Sequence, residues 1–481
     1  MENSIVKNAT FNMLYKALSV FFPLVIVSYA SRKLGANGIG NVSSAQNIVT
    51  YFTMFAALGI PSYGVRAIAQ SRKNKERCDR TFTELFVINL CSTCICTILY
   101  FILLQFMNSK IVQLNYIFSL LIILNIFNVE WVYEGFEQYQ YIAIRSFVVK
   151  GISVILLFLF VKNEKDLVAY TCIVCFGTVG NYLLNLVSLP RYVKFRFDSL
   201  EVIKHLKVII MFFGSVIAIE LYSLIDITML SYTCSSDVVG YYSNASKIVK
   251  MLANTITGIG AVMLPRLSMC FAEKKIEDIQ IIVKNFFNAT LTIAIPAAVG
   301  ISLISQEIVT LLFGTEFMPA VPTIMILSPL IILMPLSGGV FGQLLLTSNN
   351  ERKYLLCVGA GAGLNCILNY FFIYFWKHNG AAFASVLTEA LVNIFMIIFS
   401  LKIIKIEIDK KEIGKTIFAA FIMATLLLVL NMVCIELPAI VAIIVKVLLA
   451  MGIYFITLYF TKQKFVCGMI QNIAYFLEKR R

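Results

Sequence analysis

The sequence predicts an all-α polytopic membrane protein with about fourteen transmembrane helices. Three observations carry that prediction: an apolar composition, a succession of apolar runs of about 20 residues, and cations gathered in alternate loops. Of the 481 residues, 59% are hydrophobic and 14% charged, and the mean hydropathy is +0.86. Soluble domains hold about 45–50% apolar and about 25% charged residues. This chain has too little polar surface to cover a water-soluble globule, so lipid must be much of its solvent.

A helix crossing a hydrocarbon core of about 30 Å needs roughly 20 apolar residues. Such runs fall at residues 9–31, 39–64, 83–106, 112–133, 143–161, 167–189, 208–232, 238–264, 285–306, 318–346, 354–376, 379–401, 416–435 and 438–461. The first is expected to stay as a span. It lacks the compact basic start and small-residue cleavage site of a removable leader. The tenth carries Pro322, Pro329 and Pro335 and is expected to be kinked or partly interfacial. One set of loops collects the cations: Lys7, Arg66 to Arg80, Arg145, Arg191 to Lys207, Arg266 to Lys284, Arg352 and Lys353, Lys402 to Lys415, and the C-terminal tail. The other set holds only Arg32, Lys33, Lys110, Lys162, Lys165 and Lys377. The positive-inside rule then places both termini in the cytoplasm. It also accounts for the net charge of +14 without nucleic acid. The 12 cysteines lie mostly inside apolar runs, away from His205 and His378, so no metal site or cofactor is expected.

An internal repeat underlies the spans. Gly40-Asn41-Val42-Ser43-Ser44-Ala45-Gln46-Asn47-Ile48-Val49 aligns with Gly240-Tyr241-Tyr242-Ser243-Asn244-Ala245-Ser246-Lys247-Ile248-Val249, an offset of 200 that also pairs Arg66 with Arg266. Both segments start at the outer face and run inward. A six-span unit repeated in one orientation gives two lobes related by an axis along the membrane normal. The expected layout is an N-terminal lobe over 1–200, a C-terminal lobe over 201–405, and two extra helices with a cytoplasmic tail over 406–481.

Span 8 carries Ser243, Lys247, Lys250, Asn254 and Thr257 at spacings of 4, 3, 4 and 3, all on one helix face. A lysine at bilayer depth costs roughly 2.5–3.5 kcal/mol facing lipid, so this face must meet protein or water. Span 2 has Ser43, Asn47 and Thr50 at the related places, and span 1 adds Asn12, Lys16 and Ser19. Two arrangements satisfy the pattern. One is a positively biased hydrophilic cavity between lobes. The other is a set of buried pairs in which Lys247 or Lys250 meets Glu220 or Asp226 of span 7. Lys16, two turns in, either joins the cavity or snorkels to the cytoplasmic face. Glu220, Asp226 and Glu389 are the intramembrane carboxylates that this reading identifies. They serve either as counter-ions or as coupling sites for a proton or cation. Lys446 has no partner visible in sequence beyond a contact with lipid phosphate.

Further segments carry a family resemblance. They are Tyr29-Ala30-Ser31-Arg32-Lys33-Leu34-Gly35-Ala36-Asn37-Gly38-Ile39-Gly40, then Leu58-Gly59-Ile60-Pro61-Ser62-Tyr63-Gly64-Val65-Arg66. In the second half come Ile225-Asp226-Ile227-Thr228-Met229-Leu230, Val239-Gly240-Tyr241-Tyr242, Leu264-Pro265-Arg266-Leu267-Ser268 and Leu312-Phe313-Gly314-Thr315-Glu316-Phe317. In order and spacing, the chain resembles the polysaccharide (Wzx-type, O-antigen or capsule repeat-unit) flippases of the MOP exporter superfamily, relatives of MATE transporters. The resemblance runs over nearly the whole chain. It implies a two-lobed, MATE-like fold with alternating access in the bacterial cytoplasmic membrane. The implied substrate is an undecaprenyl-diphosphate-linked oligosaccharide, and a polymerase and glycosyltransferases of the same pathway are the implied partners. A cationic central cavity is carried over onto Lys247, Lys250 and Lys16, with Ser43, Asn47 and Asn254 lining it.

Two other functions compete. A MATE-like cation or drug antiporter should have an acidic, aromatic cavity, which the lysine stripe opposes. A membrane glycan polymerase should have an extramembrane loop rich in carboxylates or arginines. The outer loops are short, the longest lying around Ser305–Pro319. No phosphate loop of the G-x-x-x-x-G-K-[ST] type is present, and no catalytic residue is expected.

Overall fold

The computed structural model describes residues 2–107, 111–260, 263–405, 409–433, 439–469 and 471. Side chains are described from Phe22 onward, except at 215, 218, 219, 221, 222, 259 and 439. Every regular element among the described residues is helical. The chain divides into two compact units, Met1–Gly240 and Tyr241–Arg481.

The first unit holds α1 (Glu2–Ala57), α2 (Ile60–Ser71), α3 (Lys75–Gln105), α4 (Val112–Ile123), α5 (Glu130–Gly135), α6 (Tyr139–Phe160), α7 (Leu167–Ser188) and α8 (Val202–Thr233). Then come α9 (Ser236–Gly260), in which the division falls, α10 (Met263–Ala272), α11 (Ile276–Leu303), α12 (Ser305–Leu312), α13 (Ala320–Leu327), α14 (Leu330–Met334), α15 (Gly342–Thr347), α16 (Glu351–Leu401), α17 (Lys410–Val433) and α18 (Ala439–Phe460).

Among the described residues, 10 helices are long and apolar enough to cross a membrane, or up to 11 if the bent α9–α10 pair is one span. Two of the ten run to 50 and 51 residues, well beyond the roughly 20 that one crossing requires. Inside these helices α1 is broken at Gly35 (φ 69°, ψ 179°) and α16 at Lys377 (φ 49°, ψ −126°). These fall where the sequence separates spans 1 from 2 and 11 from 12. Glycine adopts a positive φ without the Cβ penalty. Lysine does not, and the turn at Lys377 closes tightly enough that a Cβ on Gly380 would lie 2.0 Å from the Phe372 carbonyl oxygen.

The expected tenth span is broken as its prolines require. Pro329 and Pro335 separate α13, α14 and a π-helical turn, Pro335–Phe341, before α15. The fourth is broken too, which its sequence did not signal. A 3₁₀ turn, Leu124–Phe127, and two non-helical residues part α4 from α5. Trp131, just past that break, is buried and lies flat against Gly64, where a Cβ would come within 2.6 Å of the indole.

α8, expected to open the second lobe, packs inside the first unit. A Cβ on Gly59 would come 2.5 Å from the Ile209 carbonyl oxygen. Ile209 itself joins the core formed by Ile68, Phe82, Leu85 and Trp131. At its start, His205 is buried between the Tyr63 hydroxyl (2.7 Å) and the Glu84 carboxylate (2.7 Å). The division between the compact units falls at Gly240.

In the second unit α17 and α18 pack against α11. Ala419, Ala420 and Ala450 allow close approach. The Tyr454 hydroxyl donates to the Thr292 carbonyl (2.7 Å) and Asn431 Nδ2 to the Leu303 carbonyl (3.0 Å). Small residues and interhelical hydrogen bonds hold helices together in lipid, where burial of apolar surface gains little. Lys446 is also accounted for. It is buried in an ion pair with Glu307 of α12, which replaces the expected contact with lipid phosphate.

Candidate functional site

The lysine stripe sits on α9, and its two sides differ sharply. Tyr242, Ala245, Val249, Ala253 and Ile256 are buried at helical spacing and seat the helix. The Tyr242 hydroxyl lies 3.3 Å from Ser385 Oγ on α16. Near the end of α9, Gly260 meets the π-helical turn so closely that a Cβ would fall 2.3 Å from the Gly339 carbonyl oxygen. The opposite side carries Lys247 and Asn254, both exposed, with Lys250 half-buried between them. At 100° per residue these three fall within an arc of about 60°. Ser243, one turn earlier, is buried, and Thr257 is half-buried with its hydroxyl bonded to the Ala253 carbonyl (2.9 Å). Lys247 makes no hydrogen bond or ion pair among the described residues. The stripe is therefore a cationic, amide-bearing face on which Lys247 and Asn254 are exposed.

The repeat-related positions of α1 behave differently. Ser43 and Asn47 are buried. Asn47 Nδ2 donates to Thr228 Oγ1 of α8 (2.7 Å), and the Tyr51 hydroxyl lies 2.8 Å from the same atom. Ser44 Oγ meets Ser231 Oγ at 2.7 Å, and Ser236 donates to Asn41 Oδ1 at 2.7 Å. Ser43 and Asn47 thus stand in or beside a polar seam between α1 and α8. The seam follows the repeat. A Cβ on Gly40 would strike the Ser236 carbonyl oxygen at 1.7 Å, and one on Gly240 would strike the Ala36 carbonyl oxygen at 2.2 Å. Residues 36 and 40 thus meet 236 and 240 reciprocally, at the offset of 200 found in the sequence. A local two-fold relation has this form.

Asp226 is buried on α8, two residues from Thr228. Glu220 is half-buried on the same helix. Glu389 is buried on α16 and accepts from the Ser337 hydroxyl of the π-helical turn. One turn on, Asn393 Nδ2 donates to the Leu333 carbonyl (3.0 Å), so α16 supplies polar groups to the backbone that the proline break disturbs. Lys16 lies on α1 but outside the residues whose side chains are described.

Sequence reasoning missed one charged cluster. Arg145, placed in a cytoplasmic loop by the cation pattern, is buried in the first turns of α6. Its guanidinium is paired with Glu130 at the head of α5 and bonded to Asn185 and Asn181 of α7, the last at 3.2 Å. Asn185 Nδ2 in turn donates to the Phe127 carbonyl (3.3 Å) at the break in span 4. The readable signal was Glu130, a carboxylate inside an apolar run with an arginine 15 residues later.

These features define a polytopic helical membrane protein with a charged face on one of its helices. The fold is that of known membrane transporters. The structure of the lipid II flippase MurJ in an inward closed conformation superposes with a TM-score of 0.76 at 15% identity, covering 95% of this chain and 99% of that one. An inward-facing multidrug MATE transporter of the MOP superfamily superposes with a TM-score of 0.64 at 14% identity, covering 82% and 97%. The chain belongs to the polysaccharide biosynthesis protein family, whose pattern matches residues 5–271. A relative from Escherichia coli (strain K12) named as an O-antigen transporter is 23% identical over 421 residues, 82% of this chain and 96% of its own.

Proposed function

We propose that this protein flips lipid-linked oligosaccharide repeat units from the cytoplasmic to the outer leaflet of the bacterial cytoplasmic membrane by alternating access. In this reading the α9 face takes the diphosphate. The observation that carries the reading is Lys247, a cation in the middle of α9 that is exposed and makes no ion pair among the described residues. Family membership and the O-antigen relative support the substrate class, and the MurJ likeness supports the fold it needs.

A saccharide hydroxyl left unpaired in hydrocarbon costs a few kcal/mol, and a bare phosphate charge far more. Lys247 and Lys250 offer point charges to phosphate oxygens, and Asn254 offers an amide to sugar hydroxyls. The polyprenyl tail stays in lipid. An inside-negative potential contributes about 2.3 kcal/mol per charge per 100 mV, so a doubly charged diphosphate gains roughly 4–5 kcal/mol on moving outward. Glu220, Asp226 and Glu389 remain the coupling or counter-ion candidates. Both termini are assigned to the cytoplasm from the cation pattern. The polymerase and glycosyltransferases that use the same glycan would be its pathway partners.

The test is a Lys247→Gln/Lys250→Gln double variant in a host that depends on this gene for surface glycan. Export should fall at least about tenfold, the loss expected from about 1.4 kcal/mol of substrate binding, with folded protein unchanged in amount. Undiminished export would refute the site. A drug-resistance phenotype without glycan export would favour a cation or drug antiporter.

A further inference from the structure

The turn between the eleventh and twelfth spans, inside α16 of the second unit, is strained and tied down by two neighbouring side chains. Lys377 has φ 49° and ψ −126°, close to the first central position of a type II′ turn, which glycine ordinarily fills. A non-glycine residue there stores strain and persists only where its surroundings hold it. The next two residues do the holding. His378 Nε2 lies 3.1 Å from the Pro319 carbonyl oxygen, and Asn379 Oδ1 accepts from the buried Thr323 hydroxyl at 2.8 Å. Both ties run to the segment that opens span 10. The His378 ring also lies 5.6 Å from the Tyr241 ring of α9, which sits 5.9 Å from the buried Phe317 ring.

Imidazole chemistry makes one of these ties depend on a proton. A carbonyl oxygen only accepts, so Nε2 carries the hydrogen and Nδ1 of the neutral ring is a bare acceptor. Nδ1 is buried and has no hydrogen-bond partner among the described residues. The neutral ring thus leaves one acceptor unpaired. A protonated ring would leave a charged N–H unpaired instead, which costs more, and Lys377, next in the chain, adds a like charge. No neighbouring element supplies a counter-ion. Tyr241 meets the ring edge to face, α13 carries no titratable side chain, and Glu316, on the 3₁₀ turn before Pro319, is exposed.

We propose that this turn is a proton-released latch, held against the head of span 10 by neutral His378 and freed when Nδ1 takes a proton from water. Opening exposes Nδ1, the proton binds there, and reclosure is opposed until it leaves. The strain at Lys377 lowers the cost of opening. The consequence for transport rests on the proposed function and its topology, which put the turn at the outer face. Acid outside then loosens the outer ends of spans 10 to 12, and a proton gradient favours the outward-open state.

Pulsed electron–electron spin resonance on the purified full chain in detergent tests the latch. Spin labels are placed at Thr315→Cys and Tyr374→Cys, two exposed positions, in a cysteine-free background. One proton bound only in the open state, at the ordinary imidazole value of about 6.5, raises the open-to-closed ratio about tenfold between about pH 7.5 and about pH 5.5. Wild type should show that change as a loss of the closed-state distance. His378→Gln keeps an amide donor for Pro319 but cannot titrate, so it should give one distance distribution at both pH values. Lys377→Gly removes the strain and the like charge, and should hold the closed distance further into acid. No substrate is present, so the result is separate from the glycan-export test. A wild type that ignores pH would overturn the proposal. So would a His378→Gln variant that responds equally, or a Lys377→Gly variant that opens at the same pH as wild type.

Discussion

Arg145 and Lys247 are both cations inside membrane helices, yet the protein treats them oppositely. Arg145 is closed in on every side by Glu130, Asn181 and Asn185, and its neighbours also satisfy a carbonyl of the broken fourth span. Lys247 stands exposed, with no ion pair among the described residues. A buried, neutralised charge organises packing. An open charge at bilayer depth carries a cost of a few kcal/mol that only water or a ligand offsets. The contrast separates the structural cations of this protein from the one proposed to serve transport.

The largest effect is expected at Arg145. Truncation to alanine leaves Glu130 without its ion pair and the Asn181–Asn185 side of the break unsatisfied. Breaking a buried pair from one side costs about 3–5 kcal/mol. Arg145→Ala should therefore yield little folded protein by fluorescence-detected size exclusion, whereas Lys247→Ala should fold as wild type does. If both fold equally well, the distinction fails.

The Lys446–Glu307 pair sharpens it next. Either single alanine variant should lower the thermal midpoint in detergent, again by about 3 kcal/mol of lost stability. A Lys446→Leu/Glu307→Leu double variant should recover most of that loss, because two apolar groups need no partner. A lysine with a transport role would show the reverse, with stability kept and export lost in the double variant.

At the glycine crossing, Gly40→Val should cost about 1–3 kcal/mol through overpacking, since its Cβ would fall 1.7 Å from the Ser236 carbonyl oxygen. Gly151→Val, where a Cβ meets nothing within 4 Å, should change little beyond helix propensity. The smallest effect is at Asp409, outside the spans. The hydrogen bond from Lys464 holds its carboxyl below the usual 3.8. A lowered folded value stabilises the protein above the unfolded value, and the contribution is lost as pH falls through the folded one. Asp409→Asn should thus lower the thermal midpoint slightly at neutral pH, and the difference should vanish as acidification passes the lowered folded-state value.

The membrane fold and the broken tenth span were legible in the sequence because each is written locally. Apolar runs and prolines need no knowledge of neighbours. The lysine face of α9 was legible for the same reason, through a 3.6-residue period. What covers a face was not. Asn47 and Asn254 look alike in sequence, but α8 lies over the first, whereas the second is exposed. Glu307 and Lys446 are 139 residues apart, and only the docking of α18 on α12 joins them. Arg145 was misplaced because the positive-inside pattern counts cations near helix ends and does not distinguish a loop from the first buried turn.

The account depends on water reaching Lys247. In a cysteine-free background, Lys247→Cys should react with a membrane-impermeant, charged thiosulfonate, since only a hydrated thiol ionises to the reactive thiolate. Lys446→Cys, in the sealed pair, should not react under the same conditions. Labelling of Lys247→Cys alone is the predicted result. A protected Lys247→Cys, or equal labelling of both, would contradict it.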